Sequence, residues 1–271
     1  MRETSFAGLL CLALEGRALG RWAVNPEIKQ FGLHRSGTNF LRVILQENFR
    51  VNVLSNEGGW KHGPYEVQQR LGREVDCVLC VKDPYAWLVS LHRYRHPDND
   101  VPFPEFVRGP LRLVGPDGPA RAIEKPNPVR LWVEMHQHWL SVKLQSHRMF
   151  VFPYEKVLEN PAGSIQELVA DLRLERRIPH SYRLRRLLGL ASGEPEFYVP
   201  PRQLGALRDH YTKKNLGAGV SFDSGYYAGR EYLRQFDAEL IRFINDTLDP
   251  ALVRRLGYDL IAPETHQLAG R

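Results

Sequence analysis

The sequence predicts an α/β fold in which a central parallel β-sheet is flanked by helices. Two segments, 28–49 and 75–95, each have the pattern of a strand, a turn and a helix. A third strand at 148–152 precedes another helical segment at 161–174. Strands that alternate with helices favour parallel pairing, because each helix returns the chain to the end of the sheet where the next strand begins.

The first unit runs from a half-apolar strand at 28–33 into a turn with a glycine at each end. Gly32 and Gly37 can take backbone conformations that are closed to other residues. A helix that starts near Gly37 directs its free N–H groups and its positive dipole end at the turn, an arrangement that binds anions. The two glycines have the spacing of a Walker A loop, but Thr38 stands where that loop has lysine. The turn predicts phosphate binding, with a ligand-free strand-to-helix turn as the alternative.

The second unit begins with a nearly continuous apolar run at 75–81, which suits a buried parallel strand. Asp83 is a good N-cap and Pro84 a good first residue for the following helix. Lys82 is therefore expected at the carboxyl end of a strand, where open α/β sheets bind ligands, with Ser90 two turns into the helix. The alternative to a ligand site is an isolated lysine at the end of the strand and a serine on the protein surface. Together the two units indicate a ligand with phosphate groups at two separate places.

With both units in view, the chain resembles the sulfotransferases that use 3′-phosphoadenosine 5′-phosphosulfate (PAPS). In that family the first loop binds the 5′-phosphosulfate. The second unit binds the 3′-phosphate through a basic residue and a serine eight positions later, a spacing that Lys82 and Ser90 keep. The residues that match the family's first loop are Arg35, Ser36, Gly37, Thr38, Asn39 and Phe40. The resemblance implies the family's fold, which is similar to that of P-loop kinases.

The resemblance also implies roles for the first loop. Arg35 would contact the phosphosulfate, and Thr38 and Asn39 would contact the 5′-phosphate. Phe40 would stack on adenine. Arg35 stands where many members have lysine, so it can neutralise the leaving phosphate but is a poor proton donor. Lys82 stands where arginine is commoner, so a point charge replaces a bidentate grip on the 3′-phosphate.

Two later segments resemble the sulfotransferase family more loosely than the two phosphate units do. The stretch 150–161 is similar to the family's strand, Tyr-Glu pair and following helix, which would bring Tyr154 near adenine. Lys213 and Lys214 lie where a basic segment often closes over the 3′-phosphate. The resemblance runs in scattered blocks from about residue 28 to 260, and only the two phosphate units are specific.

His62 is the candidate general base. It lies between the two phosphate units, in the segment Trp60–Gly63, and histidine is suited to this role because it titrates near neutrality. The resembled family carries its catalytic histidine in a similar segment. Lys61 would contact the bridging oxygen of the donor. His34 is the second candidate base, and an exposed loop histidine without a catalytic role is the alternative reading of His62.

The remaining segments complete a single domain over 26–271 after an N-terminal extension over 1–25. A short strand is predicted at 51–54 and a helix at 127–144. Residues 97–128 are expected to form a long irregular loop over the acceptor pocket. A helix at 181–189, an irregular segment at 191–230 and C-terminal helices at 231–257 follow.

Composition and charge limit the partners. The formal charge of +6 suits a polyanionic donor or an acidic glycan, and no nucleic-acid-binding motif is evident. The apolar stretch 6–14 is too short to span a bilayer; a short amphipathic helix is expected there, with a signal peptide as the alternative. No integral membrane anchor is expected, and a cytoplasmic location is predicted. Cys77 and Cys80 should face opposite sides of their strand as buried thiols. No metal site is expected.

These observations predict a PAPS-dependent sulfotransferase. The enzyme would transfer a sulfuryl group to a hydroxyl or amine of a small molecule, lipid or saccharide and release adenosine 3′,5′-bisphosphate. No metal need bridge the donor, because side chains and amides supply the positive charge. The alternatives are a P-loop-type kinase or phosphotransferase and a non-catalytic nucleotide-binding or glycan-binding module. The sequence does not identify the acceptor or the oligomeric state.

Overall fold

The computed structural model describes residues 25–64, 75–94, 101–116, 118–141, 148–177, 188 and 224–264. In chain order, the described strands are β1 (Glu27–Phe31), β2 (Asn52–Leu54), β3 (Asp76–Val81), β4 (Leu111–Gly115), β5 (Gly118–Lys125) and β6 (Met149–Pro153). The described helices are α1 (Thr38–Asn48), α2 (Pro84–Arg93), α3 (Phe103–Arg108), α4 (Pro128–Ser141), α5 (Tyr154–Glu159), α6 (Pro161–Asp171), α7 (Ser224–Ala228), α8 (Ala238–Thr247) and α9 (Pro250–Arg255). A 3₁₀ turn at Glu231–Gln235 precedes α8.

Four strands form a parallel sheet in the order β2-β1-β3-β6. Alternate residues of β3 are buried in two different hydrophobic cores, one on each face of the sheet. Leu79 packs with side chains of α2, α4 and α8, whereas Val78 packs with side chains of α1 and α6. Helices therefore cover both faces, and the predicted class of a parallel sheet flanked by helices is confirmed. Cys77 and Cys80 also divide between the two cores as buried free thiols, as expected.

Local sequence explains where the helices beside the sheet begin. Gly37 takes a left-handed conformation and ends the turn before α1. The Asp83 side chain accepts a hydrogen bond from the Ala86 N–H at 2.9 Å, and Pro84 is the first residue of α2. A side-chain cap of this kind satisfies an N–H group that the helix itself cannot. The predicted strand at 51–54 is confirmed as β2. The predicted helix at 127–144 is confirmed as α4 over Pro128–Ser141, and residues 142–144 lie outside the described residues.

The expectation of an irregular loop at 97–128 is wrong. Within this segment α3 is followed by an antiparallel hairpin of β4 and β5. Phe103, Phe106, Leu111 and Leu113 from these elements are buried in the core with α2 and α4. The prolines and glycines of the segment mark the ends of short elements, and its apolar residues are too few per element for a period to be recognised.

Some predicted elements lie outside the described residues. These are the helix at 181–189 apart from Leu188, and all but the last residue of the extension 1–25. The segment 191–230, expected to be irregular, contains α7, and the stretch 231–257 contains the 3₁₀ turn, α8 and α9. Among the described residues, no helix has the length and apolar character needed to cross a membrane.

Candidate functional site

The carboxyl ends of β1 and β3 lie side by side where the strand order reverses. After β1, the chain first pairs on one side as β2 and then on the other side as β3. Open α/β sheets bind ligands at such a point, because the loops that follow the two strands diverge and leave a crevice. The loop 32–37 follows β1, and Lys82 and Asp83 follow β3. The two predicted phosphate units therefore meet at one edge of the sheet.

The loop after β1 combines a strained backbone with hydrogen bonds that hold it. Arg35 has a φ of 67°, in the left-handed region that residues other than glycine rarely adopt. Ser36 Oγ donates to the Leu33 carbonyl at 2.7 Å, and the Gly32 N–H donates to the Lys61 carbonyl at 3.1 Å. Strain of this kind persists only where surrounding contacts impose it, and it is concentrated at functional sites.

Gly37 lies directly against the ring of Tyr154. A Cβ atom at Gly37 would be 2.3 Å from Tyr154 Cδ2, which is closer than atoms can approach. Phe40, on the first turn of α1, meets Tyr154 edge-to-face with ring centroids 6.4 Å apart. The two aromatic residues that the resemblance assigns to adenine are therefore neighbours beside the first loop.

We expect the substitution Gly37→Ala to destabilise the fold by about 1–3 kcal/mol, the usual cost of overpacking. It should also weaken anion binding by displacing the turn. Chemical denaturation and calorimetry measure the two effects. Gly257→Ala is the matched control, because Gly257 has a φ of 87° against 88° for Gly37 but no atom within 4 Å of its added Cβ. Equal losses in the two variants would mean that the contact with Tyr154 has no importance.

Lys61 places a buried ammonium group at the start of α1. Its Nζ donates to Asn39 Oδ1 at 2.6 Å, and the residue is 9% exposed. Burial, with the charge of Arg42 as the next cause, lowers the pKa of Lys61 to about 8. Desolvated positive charge beside a helix N-terminus favours an anionic ligand. The sequence predicts Asn39 and Lys61 as site residues from two separate segments, and in the structure the two side chains are hydrogen-bonded to each other.

His62 is also buried, and its proton position follows from its hydrogen bond. Nδ1 lies 2.5 Å from the Gly32 carbonyl, which can only accept, so Nδ1 carries the hydrogen and Nε2 carries the lone pair. The ring stacks on His34 at 4.0 Å and meets Trp60 edge-on at 5.4 Å. Burial, followed by the charges of His34 and Lys61, holds the pKa of His62 well below its usual value. At neutral pH the ring is therefore an unprotonated base.

Lys82 and Ser90 meet at the end of β3. Lys82 Nζ donates to Ser90 Oγ at 2.6 Å, and both residues are buried. Ser90 Oγ is also 2.7 Å from the hydroxyl of Tyr227, whose ring centre lies 3.9 Å from Lys82 Nζ. An ammonium group and two hydroxyls at one point match the donors that a phosphate group requires.

The tyrosines of α7 are functional candidates that sequence reasoning missed. Arg93 donates to the Tyr226 hydroxyl at 2.6 Å and lies over its ring at 4.2 Å. Tyr227 contacts Ser90 across a separation of 137 positions. No local pattern predicts such a pairing, and the only available signal was the abundance of tyrosine at 191–230.

The carboxyl group of Glu155 joins the ends of β3 and β6 next to Lys82. The Asp83 N–H donates to Glu155 Oε1 at 3.1 Å, and the Tyr258 hydroxyl donates to Glu155 Oε2 at 2.6 Å. Burial, with Glu155 as the next cause, raises the pKa of Asp83 to about 6. These contacts hold the two strand ends together and set the position from which Lys82 extends.

The described part of the chain thus brings most of the predicted site residues to one edge of the sheet. Lys213 and Lys214, predicted to close over the 3′-phosphate, lie outside the described residues. Within the described residues, no group of three or more His, Cys, Asp or Glu side chains is placed to hold a metal ion. In comparisons with known proteins, no family model matches the chain and no curated protein shows significant similarity to it.

Proposed function

We propose that this protein transfers a sulfuryl group from PAPS to a hydroxyl or amine of an acceptor. The observation that carries the proposal is the hydrogen-bonded pair of Lys82 and Ser90 beside the glycine loop of β1. Two anion sites on adjacent strand ends fit a nucleotide with phosphate groups at both its 3′ and 5′ positions. The fold alone supports many reactions, so the proposal depends on these side chains.

The residues fit the donor as follows. Lys82 and Ser90 would hold the 3′-phosphate, and the N–H groups at the start of α1 would hold the 5′-phosphate with Thr38 and Asn39. Phe40 and Tyr154 would line the adenine pocket. The donor fits this set better than a nucleoside triphosphate does, because a triphosphate has no group for the site at Lys82.

In the reaction, His62 Nε2 would take the proton from the acceptor hydroxyl or amine as the acceptor atom bonds to sulfur. The bond between sulfur and the 5′-phosphate oxygen would break, and adenosine 3′,5′-bisphosphate would leave. Arg35 and Lys61 would stabilise the negative charge that develops on the departing oxygen. The acceptor is a small molecule, a lipid or a saccharide in this proposal, and the reaction takes place in the cytoplasm.

We expect adenosine 3′,5′-bisphosphate to raise the melting temperature much more than AMP does. A ligand at 100 times its Kd stabilises the native state by about 2.7 kcal/mol, which corresponds to roughly 5–10 °C for a domain of this size. A thermal-shift series with the bisphosphate, AMP, ADP and ATP, with and without Mg²⁺, measures this. Equal shifts for the bisphosphate and AMP would contradict the two-phosphate site, and a strong response to ATP that requires Mg²⁺ would indicate a kinase.

A further inference from the structure

Lys29 is a buried lysine whose ammonium group binds three backbone carbonyls of one loop. Its Nζ donates to the Ser55 carbonyl at 3.0 Å, to the Glu57 carbonyl at 2.9 Å and to the Gly59 carbonyl at 2.7 Å. These bonds use all three N–H donors of an ammonium group. The residue is 0% exposed and lies in the middle of β1, opposite Leu54 of β2.

Such a lysine is costly, because a buried charge loses its hydration. Strands of a parallel sheet are normally apolar on both faces, so an apolar residue at this position would serve the core at no such cost. Burial lowers the pKa of Lys29 to about 8. The three carbonyls that compensate for the burial all belong to 55–59, immediately before Trp60, Lys61 and His62.

We propose that Lys29 is a positioning residue whose ammonium group fixes the 55–59 loop and thereby places Lys61 and His62 at the site. This inference rests on the proposed function, because it gives the loop a catalytic purpose. Lys29 of β1 holds the loop 55–59, and Gly32, the residue that follows β1, holds the next residues Lys61 and His62. The Gly32 N–H and carbonyl bond to the Lys61 carbonyl and to His62 Nδ1, respectively.

Lys29 also acts on His62 electrostatically. Its charge is among the causes that hold the pKa of His62 low, after burial, His34 and Lys61. Loss of Lys29 should therefore free the loop and raise the pKa of His62. A lysine that only stabilised the fold would change the melting temperature without changing the titration of one particular histidine.

The test compares Lys29→Met with the parent protein and with Lys125→Met, which removes a lysine that pairs with Glu134 outside the site. Hydrogen exchange reports on the segment 55–63, and NMR titration reports on His62. In Lys29→Met we expect faster exchange in that segment and an upward shift of the His62 pKa. With an acceptor in hand, kcat should fall by about 10- to 100-fold, the cost of a misplaced catalytic group.

A folded Lys29→Met variant with parental exchange at 55–63 and a parental His62 titration would overturn the inference. If that variant does not fold, Lys29→Gln keeps a neutral donor, and the same two readouts decide. These readouts need neither donor nor acceptor. Failure of the parent protein to bind the bisphosphate would therefore count against the proposed function alone.

Discussion

The substitution His62→Gln is expected to slow sulfuryl transfer by about 10²- to 10⁴-fold, the usual contribution of a general base. Glutamine cannot take the acceptor proton, although its amide can still donate to the Gly32 carbonyl that His62 Nδ1 contacts. Bisphosphate binding should be unchanged, because Nε2 is assigned to the acceptor and not to the nucleotide. Single-turnover kinetics measures the effect once an acceptor has been found by screening.

His138→Gln on α4 is the control for loss of a histidine outside the site, and its turnover should stay near the parental rate. His34→Gln tests the competing assignment, since the His34 ring stacks on His62 at 4.0 Å. If His34→Gln loses turnover while His62→Gln keeps it, the base lies in the first loop. Parental rates in both variants would mean that the proton leaves to another group or to water.

The pH dependence of turnover by the parent protein gives a second test of His62 as the base. The pKa of His62 lies well below 6.5, mainly because of burial. A base with a lowered pKa stays unprotonated until the pH falls below that pKa. Lys61, whose pKa is about 8, is protonated at neutral pH. We therefore expect kcat/KM to hold constant from pH 7 to below pH 6.5 and, on the acidic side, to fall only in more acidic buffer. A fall on acidification that is already half complete above pH 7 would contradict the assignment of His62 as the base.

The substitution Lys82→Met is expected to weaken adenosine 3′,5′-bisphosphate binding by about 1.5–3 kcal/mol, the value of a hydrogen bond to a charged group. This loss corresponds to roughly 10- to 150-fold in Kd. Ser90→Ala should cost less, about 0.5–1.5 kcal/mol, because it removes a neutral partner. AMP, which lacks the 3′-phosphate, should bind to Lys82→Met almost as it binds to the parent protein.

Calorimetry with both nucleotides separates the loss of one phosphate contact from general damage to the fold. Lys156→Met on α5 is the matched control, because Lys156 is an exposed lysine near the same strand ends. Its bisphosphate affinity should equal the parental value. If Lys82→Met binds the bisphosphate like the parent protein, the end of β3 is not the 3′-phosphate site. An equal loss for the bisphosphate and AMP would mean that the variant distorts the whole site.

Local sequence was sufficient for the two strand-turn-helix units and for the residues that each presents. Gly37, Asp83 and Pro84 act on the backbone at their own positions, so their effect on helix starts is visible without tertiary contacts. The apolar run of β3 likewise predicts a strand buried on both faces. The segment 97–128 was misread for the converse reason, because α3, β4 and β5 are short and are stabilised by packing against distant helices.

The sequence by itself determined the parallel α/β arrangement and the two strand-turn-helix units, because both depend on residues that are close in the chain. Only the tertiary structure decided which side chains share a site. It joined Lys61 to Asn39, brought Tyr227 to Ser90 and placed Lys29 under the loop that carries His62. Such contacts depend on strand order and on which face of an element points inward, and these are settled only when the whole core packs.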